Sequence, residues 1–220
     1  MTNSLKKVLV IGATGLVGKT LVLQLNQLDC CEHIDVFVRR ENQIFLQQKK
    51  IQQFVLDDFL LLNEHDLEGY SHVFSCLGST LKQAGSKQAF YDIDYKINRH
   101  VAYLLRDMPT HFVLLSSMNA HPQSLFFYSK VKGQLEEELK TLNLYRLSII
   151  QPSLLLGERE SPRLLEDFAQ KLYQKIASYL PKNLKYLPVT ADQVAHTMVD
   201  AAQNQSISCE MYANLIIQKH

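Results

Sequence analysis

The chain carries no surplus of either charge. Its 23 Lys+Arg stand against 22 Asp+Glu, and eight histidines change nothing at neutral pH. Nucleic-acid binding, which needs a basic field, is therefore not expected. Long hydrophobic runs are missing too. Runs such as Leu60–Leu62 and Leu154–Leu156 fall far short of the roughly 20 apolar residues that span a bilayer. The N-terminus, MTNSLKK, leads straight into an apolar segment and leaves no room for a signal peptide. Cysteine is sparse. Cys30, Cys31, Cys76 and Cys209 form no C-x-x-C pair, and no histidine cluster has ligand spacing, so a metal site is not expected. Cys30 and Cys31 are adjacent and read as reduced. These absences predict a soluble cytoplasmic protein that neither enters a membrane nor binds nucleic acid. There is no internal repeat and no low-complexity linker. At 220 residues and 46% hydrophobic content, one domain with a sizeable core is expected.

Glycine is also scarce, yet three of the eight stand in one turn, at Gly12, Gly15 and Gly18. The stretch VLVIGATGLVG opens with a buried strand, Val8 to Ile11. It closes on Leu16, Val17, Leu21, Val22 and Leu25 at helical spacing. Strand, glycine turn and helix together place a pyrophosphate on a helix N-terminus. Gly12 permits the tight turn, Gly15 lets backbone approach the phosphates, and Gly18 lets helix and strand pack closely. An ordinary packing turn could hold the same glycines; the flanking strand and helix favour the dinucleotide reading.

The helix runs from about Gly15 to Leu28, and His33–Val38 alternates into a second strand followed at once by Arg39 and Arg40. Residues 40–50 read as a loop or short helix. Ile51–Leu56 is a third strand, ending at Asp57 and Asp58, and Phe59–Leu67 a short helix. His72–Leu77 is a fourth strand, with Gly78, Ser79 and Thr80 behind it. Lys82–Lys87 reads as a polar loop. A long helix begins near Gln88, buries Ile93, Ile97, Val101, Leu104 and Leu105, and ends before Pro109. Phe112–Leu115 is a fifth strand, ending at Ser116 and Ser117. Phe126–Leu142 is a helix and Arg146–Ile150 a sixth strand. Beyond Pro152, Leu164, Leu165, Phe168, Leu172 and Ile176 form one amphipathic face, a core face or else a lid or dimer surface. Thr190 or Asp192 caps a helix with Val194, Ala195, Met198 and Val199, and Glu210–Ile217 reads as a last strand. Strands alternating with helices predict an α/β, doubly wound parallel sheet of Rossmann type. The whole of 1–220 is one domain, with 152–220 adding a small substrate-side lobe. The polar clusters at 12–15, 39–40, 57–58, 78–80 and 116–117 all fall at strand carboxyl ends, where ligands bind in such sheets.

Tyr128 and Lys132 form Y-x-x-x-K on a helix, so both project from one face. A fixed ammonium stabilises a phenolate, and a phenol so placed can pass a proton to or from a carbonyl or alcohol oxygen. A surface helix pair has the same spacing. Here the pair follows Ser116 and Ser117 at a strand end, downstream of the dinucleotide turn, which favours function.

The motifs GATGLVG, LLSS, YSKVK and QPSLLLG resemble an extended or atypical short-chain dehydrogenase/reductase. CLGST followed by AGS and AF, then LLSSMNA, FFYSKVKGQLE and QPSLLLGERES, are similar to the Tat-interacting oxidoreductase family and its bacterial relatives, over roughly Lys7 to Ala202. The resemblance implies an NAD(P)-binding Rossmann domain. In it Tyr128 is the acid/base, Lys132 holds the nicotinamide ribose and tunes Tyr128, and Ser117, rather than Ser116, bonds the substrate oxygen. Thr14, Gly15, Leu16 and Val17 line the pyrophosphate. Asp58, or Asp57, approaches the adenine, and Cys76, Leu77 and Gly78 lie along the ribose. Asn98 either matches a proton-relay asparagine of some relatives or is structural. Two departures stand out. Gln151 replaces an arginine common before the proline, and Ser117 lies only eleven positions before Tyr128.

The expected activity is hydride transfer between NADP (NAD being possible) and a small carbonyl or alcohol. The NADP preference rests on Arg39 and Arg40, because an arginine after the second strand can grip a 2′-phosphate; they could also be two solvated arginines at a loop start. A sugar-nucleotide epimerase or dehydratase is the runner-up. A non-catalytic NADPH-sensing protein is a rival, disfavoured by the intact Tyr128–Lys132 pair. Substrate and oligomeric state stay open.

Overall fold

The computed structural model describes residues 4–156 and 185–220. Seven strands form one wholly parallel sheet. They are β1 (Lys7–Ile11), β2 (His33–Val38), β3 (Ile51–Val55), β4 (His72–Ser75), β5 (His111–Leu115), β6 (Arg146–Gln151) and a last strand, Cys209–Ala213, in the order β3-β2-β1-β4-β5-β6-last. The order reverses between β1 and β4, where Ile11 lies between Phe37 and Ser75. That reversal opens the crevice in which ligands of doubly wound sheets sit.

The period-2 alternation of β1 feeds two separate cores. Val8 and Val10 point into a layer with Leu21, Val22 and Leu25 of helix α1 (Leu16–Gln27). Leu9 and Ile11 point to the opposite layer, against Val101, Leu105, Leu135 and Leu139. All four β1 side chains from Val8 to Ile11 are fully buried. Each contributes about 1.5–3 kcal/mol by leaving water, which is why an unbroken apolar run marks a central parallel strand.

Between β4 and β5 the chain departs from the predicted loop and single helix. Residues 82–87 are not wholly loop, because α2 (Leu81–Ala84) forms there. Thr80 Oγ1 accepts the Gln83 N–H at its start and Gly85, at φ +80°, ends it. Ser86 then caps α3 (Lys87–Tyr91), which runs through a π-helical turn at Asp92–Ile97 into α4 (Asn98–Leu104). Residues 59–67 form two 3-10 turns, Phe59–Leu61 and Glu64–Leu67, because Asn63 caps a new turn between them.

Helix α5 (Phe127–Thr141) covers the sheet beside α4. After β6, a short parallel pair joins β7 (Leu155–Leu156) to β8 (Val189–Thr190). Thr190, not Asp192, caps α6 (Ala191–Asn204), which packs on α1. The last strand, β9, ends at Ala213 rather than continuing to Ile217. Asn214 turns the chain into α7 (Asn214–Ile217) by accepting the Ser153 N–H and donating to the Lys185 and Leu187 carbonyls. Much of the segment expected as a substrate-side lobe thus builds the main sheet and its helical layer. The amphipathic face at Leu164–Ile176 lies outside the described residues.

At the amino end of the strands, far along β4 and β5 from the crevice, His72 and His111 are buried with rings 5.3 Å apart. His72 Nε2 meets the Ala202 carbonyl at 3.0 Å, and His111 Nε2 meets Ser148 Oγ at 2.8 Å. The Ser148 hydroxyl donates in turn to Gln205. Burial lowers the two imidazoles to about 4 and about 3, Arg146 opposing charge at both.

Candidate functional site

The glycine turn leaves β1 and enters α1 at the sheet's reversal point. Gly12, at φ +74°, lies so close to β4's end that a Cβ there would stand 2.5 Å from the Cys76 carbonyl carbon. A Cβ on Gly18 would stand 2.2 Å from the Gly12 oxygen. Packing alone therefore demands glycine at both. Gly15 differs, for its Cβ would meet only the Gly12 oxygen, at 3.3 Å. No side chain caps the helix it begins, and the first turn holds no acid. Val17 is buried and Leu16 packs on the core, so their side chains turn inward. An uncapped helix start without acids is suited to an anion. We expect Gly15→Val to leave the melting temperature near that of the parent and to abolish dinucleotide binding, as read by cofactor fluorescence titration. Unchanged affinity would remove Gly15 from the site.

Beside the turn, Thr14, Arg39, Arg40, Glu41, Asn42, Leu56 and Asp57 line a cleft of about 610 Å³. Both arginines are exposed. Asp58 is spent differently from Asp57: its carboxylate accepts the Leu60 N–H at 2.8 Å and caps a 3-10 turn. At the end of β4, the Cys76 thiol turns into the core, 3.9 Å from Met198 Sδ, and burial pushes it up to about 12. Cys76 thus offers the turn its backbone, not its sulfur. Leu77 packs into the opposite core layer, and Gly78 is exposed.

The Tyr128–Lys132 pair stands on the first half of α5. The Tyr128 ring packs 5.5 Å from Phe90. Lys132 is only 3% exposed, and its ammonium lies 3.0 Å from Oδ1 of Asp94, a residue fully buried in the π turn. Burial opposes this charge, but Asp94 above all, with Tyr128 and Glu136, more than offsets it and holds the ammonium above its usual range. The other oxygen of Asp94 accepts the Ser79 N–H and the Ser79 hydroxyl, each at 2.8 Å. Asn98, one turn along, accepts from the Ser75 hydroxyl and donates to the Asp94 carbonyl at 2.9 Å. That places it in a backbone-bracing role.

Ser116 and Ser117 divide sharply. The Ser116 hydroxyl donates to the buried carboxylate of Glu136, which also takes both contacts from Gln151 Nε2 at 3.0 Å. Burial pushes Glu136 above the usual carboxylate range, against the pull of Ser116 and Gln151. The Ser117 hydroxyl is buried and has no protein partner. The loop from Ser117 to Phe126 is laid tightly across α5. His121 N–H donates to the Ser129 carbonyl, and a Cβ on Gly133 would stand 2.2 Å from the His121 backbone.

Sequence reading missed Asp94 and Glu136. Asp94 sits among Ile93, Ile97 and Val101, an acid in an apolar stripe. Glu136 continues the Tyr128–Lys132 spacing by another four residues. In both cases the signal was a charged residue on a face that must be buried.

A parallel sheet with this strand order and a glycine turn at its reversal point defines a Rossmann-type, dinucleotide-binding class of fold. The chain belongs to the NAD-dependent epimerase/dehydratase family, whose model matches residues 8–153. Among similar proteins, FMP52-1, mitochondrial, of Scheffersomyces stipitis is 33% identical over 88% of this chain and 87% of its own length. FMP52, mitochondrial, of Candida albicans is 31% identical over 94% and 92%. Among solved structures, UDP-glucuronic acid 4-epimerase from Bacillus cereus, in complex with NAD, superposes with a TM-score of 0.69 at 15% identity, over 93% of this chain and 76% of that one. UDP-N-acetylglucosamine 4-epimerase from Methanobrevibacter ruminantium gives 0.71 at 13%, over 94% and 76%. At such identities the likeness is one of fold. The mitochondrial names of the relatives overturn the expectation of a cytoplasmic protein. Unpaired cysteines fit a reducing environment, which is not a property of one compartment alone.

Proposed function

We propose that this protein is an NAD(P)-dependent oxidoreductase, similar to the Tat-interacting oxidoreductases. In this reading it prefers NADP and moves a hydride to or from a small carbonyl or alcohol. The observation that carries the reading is the buried Lys132 ammonium one helical turn from Tyr128, with the Ser117 hydroxyl left without a protein partner. The residues fit a nicotinamide dinucleotide. The uncapped helix start would hold the pyrophosphate, the arginine cleft the adenosine end, and Lys132 the nicotinamide ribose. The cofactor supplies the hydride. Ser117 donates to or accepts from the substrate oxygen, Tyr128 holds the proton that moves, and Lys132 fixes the charge beside it. Membership of the NAD-dependent epimerase/dehydratase family supports a sugar-nucleotide epimerase or dehydratase as the second reading, and UDP-sugars belong in the same turnover screen. The partner proposed is a small molecule. No described helix is long and apolar enough to cross a membrane. The names of the relatives support a mitochondrial site of action.

The NADP preference is tested by two dissociation constants, for NADPH and NADH. Arg39 and Arg40 line the cleft with Glu41. One charge-assisted arginine–phosphate contact contributes about 1.5–3 kcal/mol, roughly ten- to 150-fold in affinity. The wild type should favour NADPH within that range, and Arg39→Ala with Arg40→Ala should bring the two constants together. Equal affinities in the wild type, or a double variant that still discriminates, would end the preference.

A further inference from the structure

We infer that Asp94 is a positioning residue that locks Lys132 to the Gly78–Ser79 turn, so that the lysine and the turn after β4 are set as one unit before cofactor arrives. The inference rests on the dinucleotide-binding reading of the site.

Three elements converge on this one carboxylate. Oδ1 faces the Lys132 ammonium at 3.0 Å from α5, while Oδ2 holds both the N–H and the hydroxyl of Ser79. The third is its own π-helical turn, which adds a residue to the helical repeat and brings Asp94 and Asn98 to the end of β4. There Ser75 donates to Asn98, and Asn98 donates to the Asp94 carbonyl. The fit extends to Gly78, where a Cβ would stand 3.3 Å from Asp94 Oδ1 and 3.5 Å from Lys132 Nζ. A Cβ there would crowd the Asp94 oxygen and touch the lysine at ordinary contact distance. Lys132 has a long, flexible stem with a point charge at its end. Without a fixed counter-charge a buried ammonium either loses its proton or swings to water. Asp94 removes both options, and its grip on Ser79 sets the backbone of the turn along the face where Gly78 is exposed. The carboxylate does not itself need to meet substrate or cofactor for this role.

The test is a double-mutant cycle on the dissociation constant of NADPH, using the full chain: wild type, Asp94→Asn, Lys132→Met and both together. Asn keeps an acceptor for Ser79 and removes the charge. Asp94→Asn should weaken NADPH about tenfold when Lys132 is present and by less than about twofold when it is Met. The same loss in both backgrounds, or no loss in either, overturns the inference while leaving the dinucleotide reading intact. A wild type that binds neither NADPH nor NADH overturns both. If either single variant fails to fold, Ser79→Ala stands in, read by the 1H–15N signal of the Lys132 ammonium in the cofactor-free protein. That signal should be protected from exchange in the wild type and broadened in Ser79→Ala. A signal absent from the wild type, or unchanged in the variant, overturns the inference.

Discussion

Tyr128→Phe is expected to lower kcat by about 10²- to 10⁴-fold, the range spanned by a positioned general acid or base. The dissociation constant of the cofactor should move by less than about twofold. The two readouts separate because the residue has two separable parts. Its ring packs against Phe90, 5.5 Å away, and phenylalanine keeps that contact. In the proposed reaction its hydroxyl is what acts, and only in the transition state. Lys132→Ala should behave differently and damage both quantities. It removes the ammonium that the proposed reading assigns to the ribose and leaves the Asp94 carboxylate buried with no cation, a change that costs about 3–5 kcal/mol in dry sites. Steady-state kinetics on the best substrate, alongside fluorescence titration, checks both variants. A Tyr128→Phe protein with full kcat would take the phenol out of the chemistry and leave the site as a binding or sensing device.

The strands of the sheet were legible because each central one is an uninterrupted apolar run closed by glycine, serine or charge. β1, β2 and β5 begin or end within a residue of where the pattern puts them. Legibility failed where side-chain-to-backbone bonds decide the path. Asn214 ends β9 by bonding to residues far away in sequence, whereas the apolar run Leu215–Ile217 by itself predicts more strand. Thr80 and Gly85 enclose a single helical turn too short for periodicity to register. The strand reading also treated β2 as alternating, yet Asp35 is buried with its neighbours. The Tyr70 hydroxyl, at 2.6 Å, and the Lys7 ammonium, at 3.3 Å, keep its charge satisfied. In the site, the motif residues were visible as motifs, but the acids that brace them were not. Asp94 depends on a π turn, and Glu136 on Ser116 just past β5 and Gln151 of β6. Each acid shows in the sequence only as a charge on a buried face, and the partners it holds come from other elements. Asp57 and Asp58 show the same limit, since only the fold decides which of two adjacent acids lines the cleft and which caps a turn.

Acid should begin to destabilise this protein at a pH where most of its carboxylates are still charged. His72 and His111 titrate near 4 and 3 in the folded chain, against 6.5 when exposed, because burial disfavours their cations. The folded values are lower, so the unfolded chain binds protons that the native one refuses. The contribution of each histidine to stability is therefore complete above about pH 6.5 and declines as pH falls. Each loses about 1.4 kcal/mol per pH unit until its native form also protonates, near 4 for His72 and near 3 for His111. By pH 4 the two together remove about 6 kcal/mol, comparable with the whole stability of a marginal domain. A proton taken up at the buried His111 Nδ1 finds no acceptor, whereas His72 Nδ1 has Ser71 Oγ at 3.0 Å. Arg146 repels both rings. His72 is tied to α6 through Ala202, and His111 through Ser148 to Gln205, so charging them loosens the helix that packs on α1. Urea unfolding at pH 7 and pH 4.5 should show the midpoint falling steeply in the wild type. It should fall much less in His72→Asn with His111→Asn, which lacks the two titrating groups. Equal midpoints at the two pH values in the wild type would mean that the pair is charged or hydrated in the native state, and the buried network at the amino end of the sheet would have to be redrawn.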